Sequence, residues 1–193
     1  MSGVIVVLGR QGSGKGTQCG LLQQRYGGVV HVSTGDMMRG AAASGTPLGR
    51  RTEALMAAGE LIPDDVMCDV VAERLAPLLE SGATVLLDGF PRTPAQAEAL
   101  AAMTAPDGLL GAVLLEVDTS EVSERMLARG RGDDTEAGIA RRLELYEAQT
   151  APLVDWFTER GLLVRIDGTG APAEVFGQLA AAVGRLVPLG LSR

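Results

Sequence analysis

The stretch GRQGSGKGTQ, residues 9–18, combines closely spaced glycines with the only lysine of the chain, Lys15. It follows the apolar run Val4–Leu8 and precedes a helical pattern over Thr17–Tyr26, which is the context of a phosphate-binding loop. In such a loop, successive backbone N–H groups meet phosphate oxygens at the N-terminus of a helix. Lys15 would add a compact positive charge on a flexible stem. Arginine could not replace it, because its planar guanidinium is too wide for a ring of amides around an anion.

Four glycines, Gly9, Gly12, Gly14 and Gly16, are expected to adopt backbone angles in this loop that other residues avoid. The general pattern G-x-x-x-x-G-K continues with Ser or Thr, whereas here Gly16 stands before Thr17. The alternative interpretation is a glycine-rich turn that only connects a strand to a helix.

Arginines form a second candidate group. Arg125 and Arg129 are four residues apart on a predicted helix and share a face. Like charges at that spacing repel each other, which indicates an anion beside them. Arg131 follows in a Gly/Arg-rich loop, and Arg142 projects from the next predicted helix.

The alternative for these arginines is a solvated charge run, paired with Glu121, Glu124 and Asp133. We keep that interpretation for Arg141 and for the Arg50-Arg51 pair. Asp133 and Asp134 are candidates for the N-cap of the following helix.

The elements that would position these residues alternate along the chain. Short apolar runs without polar alternation predict strands covered on both faces; they are Val4–Leu8, Val29–Val32, Thr84–Leu87, Ala112–Val117 and Leu162–Ile166. Helical periodicity separates them, most clearly over Thr135–Arg160, where Pro152 kinks the helix or starts a new one. Alternating strands and helices predict a parallel α/β sheet within one domain.

Composition excludes several classes of protein. The net charge of −7 argues against a nucleic-acid coat or a binder of anionic membranes, since both need a basic face. Cys19 and Cys68 are far apart and lack partners at metal-ligand spacing, so neither zinc nor a disulfide framework is expected. No signal peptide or membrane-spanning run is apparent, which predicts a cytoplasmic protein. No obligate apolar interface is evident, and we expect a monomer.

The motif G-x-x-G-S-G-K-G-T-Q resembles the phosphate-loop motif of the adenylate kinase family of nucleoside monophosphate kinases. STGDMMR (33–39), GELIPD (59–64), DGFPRT (88–93) and DGTG (167–170) resemble the family pattern in the same order, so that the resemblance spans nearly the whole chain. Gln11 departs from it, because the family usually has proline there. The resemblance implies a P-loop NTPase-type three-layer fold with a five-stranded parallel sheet. It also implies reversible, Mg²⁺-dependent transfer of phosphate from ATP to AMP.

By family position, the implied ATP site consists of Gly12, Ser13, Gly14, Lys15, Gly16, Thr17, Arg125, Arg129 and Gly170. The implied AMP site consists of Thr34, Arg39, Glu60, Leu61, Ile62, Gly89, Phe90, Pro91, Arg92, Gln96, Arg131 and Arg142. The resemblance gives Lys15, Arg92, Arg129, Arg131 and Arg142 catalytic roles. It implies that Asp88 holds Mg²⁺ through water, and that Asp133 and Asp134 hold a closed lid.

The resemblance also divides the chain. The core would comprise residues 1–32, 63–127 and 135–193, with an acceptor-binding insertion at 33–62 and a lid at 128–134. Only Gly130 separates Arg129 from Arg131, whereas many relatives carry a long insertion there. This short-lid form implies no structural zinc, and Gly130 and Gly132 could serve as hinges.

The acceptor base is indicated by two threonines. Relatives that phosphorylate uridylate or cytidylate typically have Ala at the position of Thr34 and Asn at that of Thr93, so this chain favours AMP. A UMP/CMP kinase and a GTP:AMP phosphotransferase of the same family remain alternatives. A guanine-reading switch would need an Asn-Lys-x-Asp element, but the chain contains no asparagine. A catalytically silent homologue is opposed by the complete arginine set.

Overall fold

A computed structural model describes residues 3–57, 62–106, 108–132 and 134–187. Its sheet has five strands, all parallel, in the order β2-β3-β1-β4-β5. The strands are β1 (Gly3–Leu8), β2 (Val29–Ser33), β3 (Thr84–Asp88), β4 (Leu109–Glu116) and β5 (Leu163–Asp167). Each matches one predicted apolar run to within a few residues, and the predicted five-stranded parallel sheet is confirmed.

Helices connect the strands across both faces of the sheet. In the described residues they are α1 (Lys15–Arg25), α2 (Thr34–Ala43), α3 (Pro47–Ala57), α4 (Asp64–Glu80), α5 (Pro94–Met103), α6 (Thr119–Arg129), α7 (Glu136–Leu145), α8 (Pro152–Glu159) and α9 (Pro172–Leu186). None of them is long and apolar enough to cross a membrane.

Two apolar cores cover the two faces of the sheet. Val4 and Val6 of β1 point into one core with the α4 and α8 side chains, and Ile5 and Val7 point into the other with α1 and α9. Successive strand residues alternate between faces, so a strand buried on both sides reads as a continuous apolar run. Because all five strands are parallel, their carboxyl ends lie along one edge of the sheet.

The predicted helix over Thr135–Arg160 is divided. Pro152 occupies the first turn of α8, where its missing N–H costs no hydrogen bond. Between α7 and α8, Tyr146–Thr150 forms a single π-helical turn. Of the two predicted outcomes, a kink or a new helix, Pro152 thus starts a new helix.

The cap of α7 differs from the prediction. Thr135 is the N-cap, and its hydroxyl accepts a hydrogen bond from the backbone N–H of Gly138. Asp134 does not cap the helix, because its carboxylate is turned inward to two arginines. Asp133 lies outside the described residues.

Candidate active site

A cavity of about 600 Å³ opens at the carboxyl ends of the strands, where parallel α/β sheets bind ligands. It is lined by fourteen of the residues proposed from the sequence. They are Gly12, Gly14, Lys15, Gly16, Thr17, Arg39, Asp88, Gly89, Pro91, Arg92, Arg125, Arg129, Arg131 and Arg142. The structure therefore brings the glycine loop together with the arginines of the implied ATP site and those of the implied AMP site.

The glycine loop runs from the end of β1 into α1. Gly12 and Gly14 have φ angles of +85° and +93°, which favour glycine. At Gly12 a Cβ atom would also lie 2.6 Å from the backbone oxygen of Val122. The same expectation is wrong for Gly16, because that residue already lies within α1 and has ordinary helical angles.

Lys15 turns back into the loop. Its Nζ donates hydrogen bonds to the backbone oxygens of Gly9 at 2.7 Å and Arg10 at 2.9 Å. Burial lowers the pKa of Lys15, and the nearby Asp88 carboxylate opposes that effect. The ammonium is thus held at the centre of the loop beside a fixed negative charge.

Asp88 ends β3 next to the start of α1. Its Oδ2 would lie 3.7 Å from a Cβ at Gly16, and it is 3.8 Å from Nε2 of His31. Burial alone would raise the pKa of Asp88, but the His31 imidazole and the charges of Lys15 and Arg92 outweigh burial and hold the pKa below its usual value. Asp88 is therefore an ionised carboxylate at the mouth of the loop.

Arg92 and Arg39 lie on the β2 side of the cavity. Nε of Arg92 donates to the backbone oxygen of Gly89 at 2.8 Å, which aims the rest of the guanidinium at the cavity. Arg39 pairs with Asp36 one turn earlier on α2. Ser33 caps that helix, because its hydroxyl accepts a hydrogen bond from the backbone N–H of Asp36.

Arg129 and Arg142 are joined through Asp134. Arg129 donates to both carboxylate oxygens at 2.8 and 2.9 Å, and Arg142 donates to Oδ1 at 2.9 Å. The Arg131 backbone N–H donates to Oδ2 at 3.1 Å. These bonds overcome the burial of the carboxylate and lower the pKa of Asp134 to about 2. One buried carboxylate thus fixes two arginines that face the cavity.

Arg125 pairs with Glu121 on the same helix and also donates to the backbone oxygen of Gly168 at 3.2 Å. The ion pair with Glu121 is the one expected of a solvated charge run, yet Arg125 also lines the cavity. Arg141 forms an exposed ion pair with Glu144, in keeping with the interpretation kept for it.

Several proposed residues support the cavity from behind instead of lining it. Ser13, Thr34, Ile62, Phe90 and Gln96 are buried. Both ends of the Gln96 amide are engaged, since Oε1 accepts from the backbone N–H of Arg92 at 2.7 Å and Nε2 donates to Asp64 at 2.6 Å. Gly170 lies against Glu174 outside the cavity. Glu60 and Leu61 lie outside the described residues.

Sequence reasoning missed other residues of the cavity wall. They include Gln11, His31, Asp36, Tyr146 and Thr150. His31 could have been found, since it is the only histidine and stands near the carboxyl end of a predicted strand. Tyr146 and Thr150 belong to the π-helical turn, which the helical pattern concealed.

Among the described residues, no group of three or more His, Cys, Asp or Glu side chains is arranged to hold a metal ion. Asp88 offers a largely buried, ionised oxygen ligand beside the phosphate loop. Mg²⁺ bound with phosphates commonly takes one or two protein carboxylates and several waters. The donor set therefore fits Mg²⁺ brought in with a nucleotide.

Comparison with known proteins identifies the family of the chain. The sequence model of the family described as Adenylate kinase matches residues 7–162. An adenylate kinase of Thermus thermophilus is 45% identical over 186 residues, covering 93% of this chain and 96% of its own. Adenylate kinases of a Synechococcus species and of Phocaeicola vulgatus are 42% and 41% identical, covering 93% and 94% of this chain and 97% and 98% of theirs. With these matches and a phosphate loop facing converging arginines, the chain belongs to the adenylate kinase family of nucleoside monophosphate kinases.

Proposed function

We propose that this protein transfers the γ-phosphoryl group of ATP to AMP, reversibly, giving two ADP. The main support for this proposal is that one cavity, beside the Asp88 carboxylate, is lined by five cationic side chains: Lys15, Arg92, Arg129, Arg131 and Arg142. Two polyanions must meet there, and phosphoryl transfer needs positioning and neutralisation of charge more than a nucleophilic side chain.

The donor end of the cavity is the glycine loop. The backbone of Gly12, Ser13, Gly14, Gly16 and Thr17 binds the ATP phosphates at the N-terminus of α1. Lys15 moves from the two loop carbonyls to a phosphate oxygen. Arg125 lies along ATP, and the backbone near Gly170 meets the base.

The acceptor end lies between α2 and the turn after β3. Arg39 and Arg92 offer paired donors to the AMP phosphate, with Arg131 and Arg142 approaching from the lid side. Thr34, Glu60, Leu61, Ile62, Gly89, Phe90 and Pro91 complete this site. Gln96 exchanges its hydrogen bond to Asp64 for one to the adenine edge.

Asp88 holds Mg²⁺ through water in this proposal. When bound, Mg²⁺ neutralises charge on the donor phosphates. The protein contributes a carboxylate that stays ionised, because the His31 imidazole and the charges of Lys15 and Arg92 lie close to it.

Closure completes the site. Residues 33–62 and 128–134 move as acceptor insertion and lid over a core of residues 1–32, 63–127 and 135–193. Gly130 ends α6 in the left-handed conformation, which fits a hinge at that point. Asp133 and Asp134 hold the lid when it is closed. Closure excludes water, which would otherwise compete as phosphoryl acceptor.

The protein acts as a cytoplasmic monomer without nucleic-acid or membrane partners. Cys19 and Cys68 are free thiols, which fits a reducing compartment. Leu21 and Leu127 are the large apolar side chains exposed in the described residues, and they are single residues on different helices. Light scattering after size-exclusion chromatography tests the monomeric state, and the mass of a dimer would contradict it.

The decisive test is a coupled spectrophotometric assay of ATP with AMP, CMP, UMP or GMP, and of GTP with AMP. We expect AMP with ATP to be the best pair. Activity with CMP or UMP and none with AMP would identify a UMP/CMP kinase, and a preference for GTP would identify a GTP:AMP phosphotransferase. A protein that binds both nucleotides without turnover would be a binding module.

A further inference from the structure

The phosphate loop has an anchor outside the nucleotide contacts. The side chain of Arg10 leaves the loop and crosses the carboxyl ends of β1 and β4. Its Nη1 donates to the backbone oxygen of Val117 at 3.1 Å. Its Nε and Nη2 donate to Oε1 of Glu147 at 2.9 and 2.6 Å, and its guanidinium lies 5.3 Å from the ring centroid of Tyr146.

These contacts join the loop to the π-helical turn Tyr146–Thr150. Single π-helical turns often occur at functional sites. Tyr146 and Thr150 line the nucleotide cavity, and the turn directly follows α7, which carries Arg142. Arg10 therefore connects the donor loop to the helix that supplies an arginine to the transfer site.

The loop needs such an anchor. Gly9, Gly12 and Gly14 have positive φ, and glycine is the residue with the greatest backbone freedom. The backbone oxygen of Arg10 is one of the two acceptors that hold Lys15. A displacement of about 1 Å at a reacting centre can cost about 100-fold in rate, so the position of residue 10 bears directly on the ammonium.

We propose that Arg10 is a positioning residue, held by Glu147, which fixes the phosphate loop and Lys15 for the donor nucleotide. This inference rests on the proposed function. Hydrogen bonds between charged groups are the stronger kind, and the guanidinium uses three donors and one aromatic face. Glu147 is half exposed, with 55% of its side chain accessible, so replacing it leaves no buried charge behind.

The test compares Arg10→Ala, Glu147→Ala and the double variant with a matched set. Arg160 makes the same kind of contacts elsewhere: it pairs with Glu98, lies over Trp156 and donates to a backbone oxygen. That cluster joins α5 to α8 and does not line the cavity. The controls are Arg160→Ala, Glu98→Ala and their double variant.

Three measurements apply to every variant: titration calorimetry with a non-hydrolysable ATP analogue, KM and kcat for ATP and AMP, and the melting temperature. We expect each Arg10 and Glu147 variant to weaken analogue binding about tenfold, the order associated with losing a hydrogen bond to a charged group. The double variant should be no worse than Arg10→Ala, and KM for AMP should stay unchanged. Glu147→Gln, which keeps one acceptor oxygen, should restore part of the loss. The control variants should lower only the melting temperature.

The inference is wrong if analogue binding is unchanged, if the two losses add, or if KM for ATP and AMP rise together. A wild-type protein that transfers no phosphate to AMP would contradict the proposed function instead. Analogue binding by the variants still tests Arg10 in that case.

Discussion

At the scale of single residues, the unusual feature is that the one lysine of the chain stands in an arginine-rich cavity. Lys15 hydrogen-bonds two carbonyls of its own loop, where a slender ammonium fits. The surrounding arginines instead donate to carboxylates or backbone oxygens outside the loop, and their planar guanidinium groups are suited to paired hydrogen bonds. The narrow space within the loop therefore takes lysine, and the wider cavity wall takes arginine.

Lys15→Arg tests that division. The substitution keeps the charge, but the wider guanidinium cannot enter the loop. We therefore expect a lower kcat that corresponds to a loss of about 3–4 kcal/mol of transition-state stabilisation, the usual cost of losing one preorganised donor. Steady-state assays with ATP and AMP measure the change, with circular dichroism to check the fold. Arg25→Lys, an exposed swap at the end of α1, is the control and should change nothing. Equal turnover of Lys15→Arg and wild type would contradict this account of the lysine.

At the scale of elements, the loop packs directly on α6. A Cβ at Gly12 would lie 2.6 Å from the Val122 backbone oxygen, and φ there is +85°. Loop and helix can approach this closely only without a side chain. The glycine therefore serves packing as well as the turn.

Gly12→Ala should lower the free energy of unfolding by about 1–3 kcal/mol through backbone strain and crowding, and should weaken ATP binding. Urea unfolding and calorimetry with an ATP analogue measure the two effects. Gly20→Ala is the matched control, because Gly20 lies within α1 with open space around it. That control should be neutral or stabilising, since alanine favours helix. A tolerated Gly12→Ala would show that the loop can shift away from α6.

The joint between α6 and α7 depends on Asp134, whose side chain is fully buried between Arg129 and Arg142. Asp134→Asn should lower the free energy of unfolding at pH 7 by about 2 kcal/mol, less than for a fully buried pair because Arg129 is one-third exposed. It should also lower kcat, since both arginines lose their common anchor. Glu144→Gln, in an exposed pair with Arg141, should change stability by less than about 0.5 kcal/mol.

The same carboxylate predicts a pH dependence. Its pKa is about 2 in the folded protein and near 3.8 when unfolded, so its stabilisation is complete above about pH 5 and is lost as the pH falls toward 2. The stability gap between wild type and Asp134→Asn should therefore narrow from pH 7 to pH 3 in urea unfolding. A constant gap would mean that the carboxylate is not held ionised.

At the scale of the whole molecule, a chain of net charge −7 encloses a cavity lined by arginines and one lysine. Charges of like sign are kept together there by Asp88 and Asp134. A ligand with phosphates at its centre would relieve their mutual repulsion and bridge both ends of the cavity.

A bisubstrate dinucleotide, two adenosines joined by a phosphate chain, should bind once per chain. At 100 times its Kd it should stabilise the fold by about 2.7 kcal/mol. Titration calorimetry and thermal unfolding measure stoichiometry and shift. Arg92→Ala should weaken binding while the free protein keeps its melting temperature within a few degrees. Binding that ATP displaces but AMP does not would place only the donor site in this cavity.

The sequence by itself determined the local features. Apolar runs, helical periods and glycine spacing act over a few residues, so five strands, the phosphate loop and the start of α8 at Pro152 follow from neighbouring residues. The resemblance to a family added Arg39 and Arg92 to the arginines that spacing had indicated. Tertiary structure alone decided how those residues are held. Arg10 meets Glu147 across 137 positions, and the Gln96 amide is taken by Asp64 across 32. Such pairs depend on strand order and helix packing, which bring distant segments together and leave no local periodicity to detect.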